Sequence, residues 1–142
     1  MRHINLILGV TLATLLLAVA PSGSAQSAAS RIEVFYLGTP DCPYCRQWES
    51  RSRAALLASP EGKAIRFVEI RGETLRKPIE AQHYPPEHLW VFEQIGPSRG
   101  VPRFLLAIDG KIVLTAFGTD GYSQLFLPAL KQAVARQQAE KT

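Results

Sequence analysis

The chain has 142 residues, 46% of them apolar, and its 16 basic and 12 acidic side chains give a net charge of +4. So small an excess, scattered along the chain, describes an ordinary solvated surface and excludes a nucleic-acid partner held by charge. Only two cysteines are present, at Cys42 and Cys45, which excludes a scaffold stapled by several disulfides.

Arg2 and His3 precede an apolar run from Ile4 to Ala20, and Pro21, Ser22, Gly23, Ser24 and Ala25 follow it. That layout matches a secretory signal peptide over residues 1–25, cleaved after Ala25, with Ala28 and Ala29 as alternative sites. The run of 17 residues, interrupted by Asn5, Gly9, Thr11 and Thr14, falls short of the about 20 that a spanning helix needs. An uncleaved N-terminal membrane anchor is the alternative. The expected location is periplasmic or secreted, and cleavage of 25 residues from 142 leaves 117, enough for a single domain. Residues 26–31 read as a flexible tail and 32–138 as the folded unit.

Ile32 to Leu37 form a nearly continuous β-branched and aromatic run, the pattern of a strand buried on both faces. Gly38, Thr39 and Pro40 end it. From Pro43 the period changes, with Cys45, Trp48, Ala55 and Leu56 on one face of a helix of roughly four turns. Pro43 suits its first turn, Asp41 is the candidate helix cap, and Ser59, Pro60, Glu61 and Gly62 close it. A second strand over Ala64 to Ile70 then pairs parallel to the first through a crossover.

Arg76 to Pro85 read as loop, and Leu89, Trp90, Phe92 and Ile95 as a short helix opening near Pro86 and Glu87. Trp48 and Trp90 read as core aromatics. Two apolar runs, Val101 to Ile108 and Ile112 to Phe117, are joined by Asp109-Gly110, which is a hairpin signal. Leu127, Leu130 and Val134 mark a final amphipathic helix, with Pro128 at its start or kinking it. The order is strand, helix, strand, helix, strand, strand, helix.

Both cysteines lie within Asp41-Cys42-Pro43-Tyr44-Cys45. A bridge across two residues closes almost no loop and removes little unfolded-state entropy, so the pair is there for its reactivity. Cys42 begins a helix whose first amides and dipole favour a thiolate, and Cys45 sits one turn on. Cys42 is therefore the attacking sulfur and Cys45 the resolving one. Arg46 and Arg103 are further candidate cations for that thiolate. The competing chemistry is a copper or zinc site in which the two thiolates supply half of a tetrahedral set, with His83 and His88 as the remaining candidates. No cofactor is called for.

Together the Cys-Pro-Tyr-Cys signature, Gly100-Val101-Pro102 opening a later strand, the Asp109-Gly110-Lys111 turn and Gly118 before the last helix resemble the thioredoxin superfamily. Resemblance extends from Ile32 to about Arg136, and Pro43-Tyr44 between the cysteines is similar to glutaredoxins. It implies an α/β thioredoxin fold with a central mixed four-stranded sheet flanked by helices. It also implies a redox-active Cys42–Cys45 disulfide, a cis Pro102 beside it, and substrate binding by Val101, Pro102, Pro43 and Tyr44. The implied partners are protein thiols or disulfides and a membrane redox protein, for a monomeric chain. Tyr36 stands where thioredoxins resemble one another in a buried acid, which leaves Glu33, Glu69 or water to take the resolving thiol's proton. Asp41 stands where they carry tryptophan. Only Gly118 and Gly121 correspond to the paired glycines of glutaredoxins, so no glutathione site is implied.

Overall fold

The computed structural model describes residues 29–142; the leader and cleavage site expected over 1–25 lie outside them. Strand β1 (Ile32–Gly38) is buried at every position, as its unbroken apolar run requires. Its alternate side chains serve two cores. Ile32, Val34 and Tyr36 join Cys42, Cys45, Trp48, Phe104, Phe126 and Leu130 on one face, while Phe35 and Leu37 join Ile70, Val91, Leu105 and Ala107 on the other. Arg31, counted with the tail in the sequence, is already tied down: its amide donates to Asp109 Oδ1 at 2.7 Å and its carbonyl accepts from the Asp109 amide at 2.9 Å.

The helix after β1 comprises α1 (Pro43–Trp48), a π turn (Glu49–Arg53) and α2 (Ala54–Ala58), with helical backbone at each junction. The π turn adds a residue to the i→i−4 pattern and rotates everything beyond it. Cys45, Trp48 and Leu56 are consequently buried, whereas Ala55, expected on the same face, is exposed. Ser59 then starts a separate turn, α3 (Pro60–Lys63), by accepting from the Gly62 amide at 3.0 Å.

Strand β2 (Arg66–Arg71) begins two residues later than expected and pairs parallel to β1, Val34 opposite Phe67 and Tyr36 opposite Glu69. The segment read as loop from Arg76 to Pro85 contains a bridge between Ile79 and Ser98 and a 3-10 turn at Ala81–His83. A second 3-10 turn (Pro86–His88) leads into α4 (Leu89–Ile95). Strands β3 (Arg103–Ile108) and β4 (Lys111–Phe117) form the hairpin, with positive φ at Asp109 (50°) and Gly110 (78°), as a primed turn demands. Val101 and Pro102 precede β3 and lie outside its ladder. The sheet order is β2-β1-β3-β4, with β1–β2 parallel and the other pairs antiparallel.

The last helix starts earlier than expected. The chain is helical from α5 (Gly118–Gly121) through a π turn (Tyr122–Phe126) into α6 (Leu127–Ala139). Pro128 stands in the first turn of α6, one of the two places expected of it, and the helical backbone before it runs on unbroken. It lacks the N–H for an i→i−4 bond, and the π turn directly before α6 accommodates that loss. Among the described residues no helix is long and apolar enough to cross a membrane.

Where β1 leaves the sheet, Gly38 lies against the tip of Tyr36: a Cβ at Gly38 would stand 2.5 Å from the phenol oxygen and 2.8 Å from Cζ. The Tyr36 ring is fixed between Trp48 and Phe104, at centroid distances of 4.5 and 5.5 Å, and has no room to yield. Gly38→Ala is expected to destabilise the fold by about 1–3 kcal/mol, read as a lowered urea midpoint at unchanged slope.

Candidate functional site

Asp41 to Cys45 occupy the point where the chain turns out of the middle of the sheet into its first long helix. The Cys42 amide donates to Thr39 O at 3.3 Å, closing the turn. Cys42 itself caps the helix: it has extended backbone, and its sulfur accepts the Cys45 amide at 3.0 Å. Pro43 at the first helical positions has no N–H to satisfy. The two sulfurs form a disulfide with 5.2 Å between the Cα atoms. Cys42 and Cys45 are 1% and 0% exposed, while Tyr44 between them is 62% exposed. The pair is thus covered by its own helix turn, with Pro43 and Tyr44 facing outward.

Val101 packs on the core that contains both cysteines. The Val101–Pro102 peptide bond is cis, and Pro102 O accepts the Gly118 amide at 2.8 Å, joining the start of β3 to the start of the last helix. The last β1–β3 pair is Leu37 opposite Arg103, so Val101 and Pro102 precede β3 at the same end of the sheet from which β1 runs on toward Cys42. Gly118 has a φ of 72°, which glycine adopts without strain.

The two candidate cations are engaged elsewhere. Arg46 donates to Pro40 O at 2.9 Å. Arg103 lies over the Phe117 ring, 5.0 Å from its centroid, and desolvation lowers its pKa. Asp41, expected to cap the helix, binds a different segment, since the helix is already capped by the Cys42 sulfur. Its carboxylate accepts from Thr74 Oγ1 at 2.6 Å and from the Leu75 amide at 2.9 and 3.2 Å. The Thr74 hydrogen bond chiefly, helped by the Leu75 amide, holds the Asp41 carboxyl below its ordinary 3.8.

Of the carboxylates considered as proton acceptors, Glu33 is on the wrong face of the sheet. Neighbours in a strand point to opposite sides, so Glu33 turns toward the second core, where it is 2% exposed and lies 3.6 Å from His88 Nε2. Glu69 is paired with Arg53 at 2.5 Å and Arg71 at 3.5 Å. The carboxylate that the sequence did not single out is Glu49. It accepts from the Tyr36 phenol at 2.6 Å and from Arg71 Nη1 at 2.7 Å. Burial first, then the bond to Glu49, pushes the Tyr36 phenol far above 10, so Tyr36 is a neutral donor and no substitute for an acid. Glu49 was legible only as the residue one helical turn after Cys45.

His83 uses Nδ1 to accept the Glu80 amide at 3.0 Å, and His88 is packed edge-on against Phe35. Among the described residues no three His, Cys, Asp or Glu side chains come together as a metal set, so the second pair of ligands required by the metal alternative is not assembled. Trp48 contacts Tyr36, Phe104 and Tyr122 in the first core, and Trp90 packs on Phe35 in the second. Gly121 packs on Ala116, which its Cβ would meet at 3.6 Å.

No family model and no curated protein matches the sequence. Solved structures do match. The periplasmic thioredoxin SoxS from Paracoccus pantotrophus is 19% identical with a TM-score of 0.51, covering 75% of this chain and 98% of its own. The thioredoxin of Malassezia sympodialis is 16% identical with a TM-score of 0.52, covering 73% of this chain and 78% of its own. At these identities the likeness is one of fold. The chain has the thioredoxin fold, a mixed four-stranded sheet flanked by helices in a single domain.

Because the folded Asp41 carboxyl lies below 3.8, its contribution is fully present above that value and is lost as pH falls through the folded pKa. The amide resonance of Leu75, which reports this bond, is expected to titrate with a midpoint below 3.8. A midpoint at or above that value contradicts the assignment.

Proposed function

We propose that the chain is an exported thiol-disulfide oxidoreductase that exchanges dithiol and disulfide with protein substrates through Cys42 and Cys45. The observation that carries the reading is the disulfide itself, set at the first turn of a helix with its leading sulfur accepting a helix amide. The amides and dipole at a helix start stabilise negative charge on a sulfur placed there. In the reduced state Cys42 is then the thiolate that attacks. It displaces one sulfur of a substrate disulfide, leaving a mixed disulfide on Cys42 and a substrate thiolate that takes up a proton. Cys45 loses its proton and attacks Cys42, reforming the internal disulfide and releasing the second substrate thiolate. Run backward, the same steps oxidise a substrate dithiol, and the direction is set by how far the reduced thiolate is stabilised.

Pro43 and Tyr44 are exposed beside the pair, and Val101, followed by the buried Pro102, packs on the core that holds both cysteines. In this reading these four residues contact substrate, with the backbone of Val101, outside the β3 ladder, pairing with a substrate strand. The layout of residues 1–25 supports export, and so does a periplasmic protein among the similar structures. Residues 26–31 then join the leader to the domain of 32–138. A membrane redox protein would return the pair to its working state, and the chain acts as a monomer.

Cys42→Ser is expected to abolish both insulin reduction and dithiol oxidation. Cys45→Ser is expected to retain the first attack and accumulate a mixed disulfide, seen by mass spectrometry. Undiminished turnover in the Cys42 variant would overturn the mechanism.

A further inference from the structure

A cleft of about 260 Å³ opens between the first helix and the last, on the face of the sheet that carries the cysteines. Each of these helices is interrupted by a π turn, and both π turns reach the cleft, with Arg51 and Ser52 from Glu49–Arg53 and Tyr122 from Tyr122–Phe126. A π turn re-aims the side chains beyond it and is frequent at functional sites. Here the first one turns Ala55 out of the core and into the wall of the cleft. The buried Leu56 and Tyr122 and the half-buried Leu127 make the rest of that wall apolar. The rim is cationic. Arg51 stands on the first helix and Lys131 on α6, and among the described residues neither takes part in an ion pair or a side-chain hydrogen bond, whereas Arg31, Arg53, Arg66 and Arg71 all pair with carboxylates. Glu61 is the carboxylate at the cleft, so two cations stand against one acid and leave one positive charge in excess.

We propose that this cleft binds a small amphipathic anion, a medium-chain carboxylate whose alkyl chain lies on Leu56, Tyr122 and Leu127 and whose head sits between Arg51 and Lys131. The volume is below the roughly 300–1,000 Å³ of sites for drug-sized ligands, which suits a single short chain. An apolar wall alone would take any short hydrocarbon, and a cationic rim alone any anion. Together they select a ligand with one apolar and one negatively charged end, and the excess of one positive charge matches one carboxylate. Arg51 and Lys131 are both exposed, so the head keeps contact with water and its charge is not stripped of solvent. The fold also supplies a reporter. Tyr122 lies edge-on to Trp48 with 5.4 Å between ring centroids, and Trp48 packs in the core of the two sulfurs, while Trp90 packs against the other core. A ligand against Tyr122 therefore alters the surroundings of one tryptophan and leaves the other as it was. The site is separate from the exchange reaction proposed above, and its occupation is measurable without turnover.

The test titrates the full chain, its disulfide intact, with decanoate, by calorimetry on the unaltered chain and by tryptophan fluorescence on Trp90→Phe. Saturable one-to-one binding with a change in Trp48 emission is the expected result. Arg51→Gln and Lys131→Gln should each weaken it about threefold to fivefold, the scale of a partly exposed ion pair. Arg99→Gln, which removes an exposed cation outside the cleft, should leave it unchanged. Octanoate, shorter by two methylenes, should bind about tenfold more weakly, and 1-decanol, which has the chain without the charge, should bind more weakly than decanoate. Absence of saturable heat with decanoate would overturn the proposal, as would unchanged affinity in both cleft variants. An equal loss in Arg99→Gln would reduce the binding to general charge attraction and overturn it too. Capture by phosphatidylglycerol vesicles without binding of free decanoate would likewise overturn it, giving the cleft to a membrane surface.

Discussion

The contact on which the site depends is a single one, the Cys45 amide donating to the sulfur of Cys42 at 3.0 Å. It makes a cysteine the cap of the first helix and so couples the backbone's need for an acceptor to the chemistry of a sulfur. Everything around it keeps that helix start fixed. β1 is buried on both faces and directs the chain outward at Gly38; the Thr39 carbonyl closes the turn on the Cys42 amide; Pro43 removes a donor that would otherwise compete. The sulfurs pack in the same core as Trp48, Tyr36 and Phe104, so their placement is set by packing as well as by hydrogen bonding.

In the core that holds the pair, a polar arrangement links β1, β2 and the first helix. Tyr36 fills a core position among aromatics and passes its hydroxyl proton's hydrogen bond to Glu49, which Arg71 also holds. Arg71 lies 5.6 Å from the Tyr36 ring centroid and reaches Glu69, while Glu69 binds Arg53. This chain of alternating charges crosses from β2 to the π turn after α1. The extra residue of that turn brings Leu56, rather than Ala55, onto the core face. At the front of the pair Asp41 performs a comparable service, exchanging a cap for a link to Thr74 and Leu75.

What could be read in the sequence followed from short-range rules. The buried strand, the helix opened by Pro43 and the Asp-Gly hairpin each follow from patterns of two to four residues, and the cysteine pair announced its chemistry by closing no loop. What could not be read depended on phase or on distant contact. The exposure of Ala55 required knowing that a π turn intervenes, and the course of Pro128 through a continuous helix required the same. Glu49 and Leu75 are ordinary by spacing; only folding brings Tyr36 to the one and Asp41 to the other. Glu33 was misplaced as a candidate acceptor because a continuous apolar run does not tell which face each residue takes, and the strand's alternation puts it beside His88.

The central claim is that the helix start holds the leading sulfur as a thiolate once the pair is reduced. Thiolate absorbance near 240 nm in the reduced chain, followed against pH with Cys42→Ser as the reference, tests it directly. A midpoint for Cys42 well below the about 8.5 of free cysteine is the predicted result. A midpoint at or above that value would contradict the account.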